Sequence, residues 1–355
     1  MHLTQFHFKD FRLFDEIQLM LHKGINTFVG QNASGKSSLL EAVYCLLTTK
    51  SFRGHNFKQV VRYDHDQYWL TGLVQYQHYQ QRLSLFRQKQ QTIVKIDGEK
   101  QKTLSDYITT LPCQIIHPES VSLLTGPSRD RRQFLDWSMF HVKHRYVDSI
   151  RFYNKALFQR NKLLKTGHTQ TLESWTVQLA DFGLQIHQQR VGYVEQYLAM
   201  FVKNPLLENL PKIDVNYYPG WDIKHSLINI LHSGLKTDQE RGFTYYGPHR
   251  ADIRLTSEGQ AIKYVFSRGQ LKLVYYALVL SQIALNLSYQ PDYRSVILID
   301  DLTAELGTDY QHFVLKQIKG YQQQLLLTSL DNSEVIKQYS DRMFHVKHGH
   351  ITYID

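Results

Sequence analysis

Short apolar and alternating runs dominate both ends of the chain, and a helical period fills its middle. Leu3–Phe8, Ile17–Leu21 and Ile25–Val29 predict strands. Tyr68–Gln77, Gln81–Arg87 and Thr92–Ile96 predict an antiparallel set closed by a turn at Asp97-Gly98. From Ser128 to Lys165 the apolar spacing is helical, and it resumes over Leu172–Asn204 after a polar break at Thr166–Thr171. Strand signals return at Ile213–Tyr218 and dominate from Thr244, with Val296–Asp300 and Leu325–Thr328 as buried strands. Leu271–Leu287 is the most apolar stretch, but Lys272, Ser281, Gln282 and Asn286 interrupt it, which predicts a core helix and not a membrane span. The pattern predicts one α/β domain built from residues 1–127 and 241–355, interrupted by a mainly helical insertion, 128–240. Neither helical segment is long enough for an extended coiled coil.

Composition changes this picture in two ways. Forty-one basic residues against 32 acidic give a net charge of +9, which favours a polyanionic partner. Cys45 and Cys113 are the only cysteines, each in an apolar run, which predicts buried free thiols and a reducing compartment. The N-terminus lacks a secretory pattern, because His7, Lys9, Asp10 and Arg12 interrupt any apolar core.

The strongest chemical signal is local. Residues 30–38 read Gly30-Gln31-Asn32-Ala33-Ser34-Gly35-Lys36-Ser37-Ser38, and fit G-x-x-x-x-G-K-[ST]. An apolar strand precedes the run and a helical pattern follows it, which is the setting a phosphate loop needs. Glycines let backbone N–H groups curl round an anion, and the helix start adds partial positive charge. Lys36 is placed to reach the β- and γ-phosphates of ATP, and the Ser37 hydroxyl to ligate Mg²⁺.

A second half of the same machine follows. Val296-Ile297-Leu298-Ile299-Asp300-Asp301 is an apolar strand ending in two acids, the Walker B form. Asp300 is delivered to the magnesium, and Asp301 is the candidate catalytic acid that orients or deprotonates the attacking water. Between the two motifs, Ser267-Arg268-Gly269-Gln270 opens a helix, with Ser267 as its N-cap. Such a Ser-x-Gly-Gln loop, some thirty residues before Walker B, resembles the signature loop of ABC-type ATPases. In that class the signature of one subunit, here Ser267, Gly269 and Gln270, closes over the nucleotide of the other.

Further blocks make the resemblance more specific. Leu40-Glu41-Ala42-Val43-Tyr44 and Lys50-Ser51-Phe52-Arg53 follow the loop. Then come His117-Pro118-Glu119-Ser120, Ser128-Arg129-Asp130-Arg131-Arg132, Gly247-Pro248-His249-Arg250-Ala251-Asp252 and Asp300-Asp301-Leu302-Thr303-Ala304-Glu305-Leu306. In order and spacing these resemble the RecF family over the whole chain. One departure is Gly307, where that family usually has Asp in the loop that touches the opposite nucleotide.

The resemblance implies a P-loop, ABC-type, SMC/Rad50-like head with a helical second lobe and no long coiled coil. It implies a cytoplasmic, weakly active, DNA-stimulated ATPase whose hydrolysis drives dimer dissociation. Its implied partners are duplex DNA, gapped or junction DNA, a second copy when ATP is bound, and a RecR-type protein, with no membrane. Its implied role is recombinational repair, replication-fork maintenance and RecA loading at gaps. Arg12 and Arg53 are implied at the nucleotide edge, by likeness to Rad50-like heads, with a surface salt bridge as the other reading of each. Arg129, Arg131 and Arg132 have two readings, DNA-phosphate contact or structural pairing with Asp130 and Asp136. His249 and Arg250 sit in a Gly-Pro turn assigned to the dimer interface. Two alternatives stand beside this reading, a transporter ATPase subunit and an ATP-binding scaffold with little turnover.

One oddity remains. Met139-Phe140-His141-Val142-Lys143-His144 recurs as Met343-Phe344-His345-Val346-Lys347-His348, in a predicted helix and in a predicted hairpin. The codons can be written ATGTTTCACGTGAAACAT, a palindrome resembling the partition site bound by chromosome-segregation proteins. The coding DNA decides this expectation.

Overall fold

The computed structural model describes residues 1–54, 56–89, 91–167 and 170–354. The side chains of His144 and Glu305 lie outside the described residues. In chain order the main elements are strands β1 (His2–Phe11), β2 (Phe14–Met20) and β3 (Ile25–Val29), then helix α1 (Lys36–Thr48). Strands β4 (Gln67–Gln75), β5 (Gln80–Gln88), β6 (Gln91–Ile96), β7 (Glu99–Lys100) and β8 (Cys113–Ile116) follow. Three helices come next, α2 (Ser128–Val142), α3 (His144–Thr166) and α4 (Leu172–Phe201), then β9 (Asp214–Tyr218), β10 (Asp252–Ser257) and β11 (Gln260–Ala261). The chain closes with α5 (Arg268–Tyr289), β12 (Val296–Ile299), α6 (Thr308–Gly320), β13 (Gln324–Ser329), β14 (Arg342–Lys347) and β15 (His350–Ile354).

Two compact units result. The first, Met1–Ser120 with Asp292–Asp355, holds two six-stranded sheets. One is antiparallel in the order β2-β1-β4-β5-β6-β7. The other runs β15-β14-β3-β13-β12-β8, parallel from β14 to β8. β3 and β13 are buried at every residue, as strands covered on both faces must be. Helix α1 packs on both sheets and buries Leu39, Leu40, Val43, Leu46 and Leu47 in their shared core. Asp97 and Gly98 take positive φ in the two-residue hairpin between β6 and β7, as the sequence predicts.

The second unit is Val121–Pro291. Its boundaries differ from the expected 128–240, because the stretch after residue 241 packs here. β10 pairs with β9, and α5 lies against α4. Tyr197 donates to the Leu278 carbonyl at 3.0 Å, and Gln282 donates to the Phe134 carbonyl at 3.0 Å. The signature helix therefore belongs with the helical unit. By length and composition α5 could cross a membrane, yet 72% of its apolar window is buried inside the protein, so it is a core helix. The two copies of the repeated hexapeptide take unlike structures, the end of α2 and strand β14. Cys45 and Cys113 are buried free thiols, and burial raises both thiol pKa values.

Candidate functional site, a phosphate loop facing two acids

The site begins with a sharp turn of the backbone. β3 runs straight into the loop, and Gly30 must be glycine because a Cβ there would lie 2.3 Å from the Val346 carbonyl oxygen. Gly35 takes φ 115°, a conformation that side chains rarely adopt, and so turns the chain into α1. No side chain among the described residues caps that helix start, and its first turn holds no acid. Its N–H groups and dipole therefore face the loop, where an anion is favoured.

Lys36 is buried beneath the loop, and its ammonium donates to the carbonyls of Gly30 at 2.6 Å and Gln31 at 2.9 Å. Burial lowers its pKa, against the pull of Asp301 and Asp300 upward. A cation held by neutral carbonyls gains charge pairing when a phosphate arrives.

The acids come from β12, whose parallel neighbours β13 and β8 fix its end. Asp300 donates its N–H to the Ile116 carbonyl. Ser37 Oγ donates to Asp300 Oδ1 at 2.9 Å, and Thr328 Oγ1 donates to the same oxygen at 2.8 Å. Asp301 N donates to Thr328 Oγ1 at 2.8 Å, and Asp301 itself sits at φ 60°. That left-handed backbone conformation is uncommon for a residue other than glycine. Leu13, Asn32, Ala33, Arg53 and Thr328 join Gly35–Ser38 and both acids around a cavity of about 230 Å³. Walker A and Walker B thus meet as the sequence implies.

Both candidate arginines reach Glu41, Arg53 at 4.0 Å. Arg53 lines the cavity. Arg12 forms a two-pronged pair with Glu41, at 2.8 and 2.7 Å, and Glu41 is fully buried. Ser51 Oγ also donates to Glu41, at 2.6 Å. Sequence reasoning missed Glu41 and Thr328 as organisers of the site. An acid inside the apolar run Leu39–Leu47 was the available signal for the first.

With this geometry in hand, similarity to known proteins is decisive. A family model described as RecF/RecN/SMC N terminal domain matches residues 2–352. The DNA replication and repair proteins RecF of Shewanella sp. (strain W3-18-1) and Shewanella oneidensis are each 36% identical to the chain over 362 residues, with both chains of each pair covered completely. This chain belongs to the RecF family. A solved structure of the recombination mediator protein RecF-ATP in the RecFOR pathway superposes with TM-score 0.89 at 26% identity, covering 100% of this chain and 98% of that one. An SMC head bound to the C-winged helix domain of ScpA matches with TM-score 0.59 at 13% identity, covering 100% and 97%, and shows the shared head fold. The fold is thus the ABC-type, SMC-like ATPase head, and the transporter-subunit alternative is set aside.

In the second unit the signature residues open α5. Ser267 Oγ accepts from Gln270 N at 3.3 Å, and Gln270 Oε1 accepts from Ser267 N at 2.8 Å, a complete capping box. Ser267 and Gly269 are exposed. For Arg131 and Arg132 the structural reading finds support within the unit. Arg131 grips both carboxylate oxygens of Asp252, at 2.8 and 3.2 Å, and donates to the Leu123 and Gly126 carbonyls. Arg132 donates to Ser128 Oγ and the Ala251 carbonyl. These bonds tie both side chains into the unit, and the acid that pairs Arg131 is Asp252, not Asp130 or Asp136. Arg129 alone of the three is exposed. His249 is half-buried and bonded within the unit. It bonds Tyr153 OH at 2.7 Å and the Thr244 carbonyl at 3.1 Å, and burial lowers its pKa to about 4. Gly307 caps α6 with nothing within 4 Å of an added Cβ, so sterics do not require a glycine there.

Proposed function

We propose that this chain binds ATP with Mg²⁺ at the phosphate loop, dimerises on doing so, and hydrolyses the nucleotide slowly. The observation that carries the proposal is the convergence of Ser37, Thr328 and Asp300 beside the carbonyl-held ammonium of Lys36. Two oxygens of the type Mg²⁺ prefers, Ser37 Oγ and Asp300 Oδ1, already stand 2.9 Å apart. These residues would hold the metal, which supplies charge neutralisation of the phosphates. Lys36 transfers its donors from carbonyls to phosphate oxygens, the helix start binds the anion, and Asp301 orients the attacking water. Ser267, Gly269 and Gln270 act on the partner subunit's nucleotide, with the exposed start of α5 as their platform.

Family membership and the +9 charge support the remaining role. The ATP-bound dimer binds duplex, gapped and junction DNA in the cytoplasm. With a RecR-type partner it promotes RecA loading in recombinational repair, and DNA stimulates its turnover. Sizing by light scattering with Mg-ATP tests the composite site. Wild type is expected as a dimer, while Ser267→Arg binds ATP and stays monomeric. Dimers of Ser267→Arg at the same concentration would overturn the trans arrangement.

A further inference from the structure

The second unit carries an arginine–tyrosine surface that the nucleotide chemistry does not use. Arg241 lies over the Tyr245 ring, 4.6 Å from its centre. Arg250 lies 5.3 Å from the Phe243 ring centre and 5.7 Å from that of Tyr245. On the neighbouring strand pair, Arg254 of β10 covers Tyr218 of β9 at 4.7 Å. Tyr245 and Tyr246 meet edge to face at 4.9 Å and remain 43% and 36% exposed. All three arginines are exposed. The segment after Tyr218 meets the segment after Tyr246, because Gly247 N donates to the Gly220 carbonyl at 3.2 Å, which brings the two groups of rings together.

Buried polar groups hold this patch rigid from beneath. Arg160 is fully buried, and it donates to Asp238 at 2.8 Å and to Thr244 Oγ1 at 2.6 Å. Asn161 accepts from both the N–H and the hydroxyl of Thr244, each at 2.8 Å. Asp238 accepts from Tyr245 N at 3.0 Å. Asp238 is paired with Arg160, and Asp252 with Arg131 at 2.8 Å and, more loosely, with Arg254 at 4.0 Å.

From this juxtaposition we infer that the Arg241–Tyr245–Tyr246–Arg254 face is a binding surface for single-stranded DNA. The inference deepens the DNA-binding role proposed above and rests on it. A duplex hides the faces of its bases, so exposed rings beside cations suit unpaired nucleotides. Bases stack on tyrosine rings and on guanidinium planes alike, and the arginines meet the backbone phosphates. The gap side of a gapped substrate supplies such a strand.

The test is fluorescence anisotropy of labelled oligo(dT) and of a blunt duplex, with the full chain in Mg-ATP. ATP affinity and thermal unfolding serve as controls. The double variant Tyr245→Ala, Tyr246→Ala is expected to lose roughly 10- to 100-fold of its oligo(dT) affinity, the worth of about one stacked base. Blunt-duplex binding should change little. The double variant Arg241→Ala, Arg254→Ala should reduce the log–log salt slope for oligo(dT) by about 1.4, or about 0.7 for each phosphate that is no longer neutralised. Tyr245→Phe, which keeps the ring, should bind as wild type. Wild-type oligo(dT) affinity in both double variants overturns the assignment, as do equal losses on oligo(dT) and duplex. A wild-type protein that binds duplex but no oligo(dT) overturns it too, while leaving the broader DNA role intact. Failure to bind either DNA overturns both.

Discussion

Lys36 and Arg160 are both buried cations, one in each unit, and they are partnered in opposite ways. Lys36 rests on two neutral carbonyls. Arg160 is paired with the Asp238 carboxylate and bonded to two threonine hydroxyls. Arg190 repeats the second pattern, gripping Asp136 with three of its N–H groups and the Pro248 carbonyl with another. A buried cation matched to a carboxylate is satisfied and serves the fold. One hydrogen-bonded to carbonyls, with acids near but in no ion pair with it, is poised for an anion that comes from outside. The partner, more than the burial, separates a binding cation from a structural one.

The largest effect that would sharpen this contrast is on stability. Arg160→Met leaves the Asp238 charge buried without its partner and should cost about 3–5 kcal/mol in denaturant unfolding. Lys36→Met abandons no carboxylate and should cost far less. Equal losses for the two variants would erase the distinction. On the catalytic side, Asp301→Asn should still bind ATP but hydrolyse it on the order of 100-fold more slowly, because the water loses its orienting carboxylate while Asp300 keeps the metal. Wild-type turnover would remove Asp301 from that role.

A smaller effect concerns pH. His249 has its folded pKa lowered from 6.5 to about 4 and His141 from 6.5 to about 3, in both cases by burial. The unfolded chain therefore takes up protons below pH 6.5 that the folded chain refuses until lower pH. Stability should be fully present above pH 6.5 and decline as pH falls toward 4. Urea midpoints measured across that window should show a shallower decline in His249→Gln, and an unchanged slope would contradict the assignment. The smallest effect is on DNA. Arg129→Ala, at the exposed member of its cluster, should lower the duplex salt slope by roughly one. Arg131→Ala should leave the slope alone and reduce stability, and the reverse pattern would break the division drawn between these arginines.

The chain's readability follows the same line between local and assembled features. The phosphate loop, the Walker B strand and the capping box at Ser267 are contiguous, so their residues and spacing appear directly in the sequence. Glu41, Thr328 and Asp252 act through partners far away in the chain. Ser37 meets Asp300 across 263 positions, and Arg131 meets Asp252 across 121. No local pattern announces which carboxylate an arginine will find, which is why the structural reading of this cluster named Asp130 and Asp136 and not Asp252. The unit boundary was illegible for a similar reason. Thr244 onward has strand character, but only β9–β10 pairing and the packing of α5 on α4 assign residues 241–291 to the second unit.

Calorimetric titration of Mg-ATP into wild type and Lys36→Ala tests the central claim most directly, with thermal unfolding as the control for fold. The account predicts saturable binding by wild type and a loss of at least about 100-fold in Lys36→Ala, the removal of a charge-assisted phosphate contact from a buried site, with the unfolding midpoint of the nucleotide-free protein nearly unchanged. Wild-type affinity in Lys36→Ala would contradict it, and would place the nucleotide somewhere other than the loop between Gly30 and Ser38.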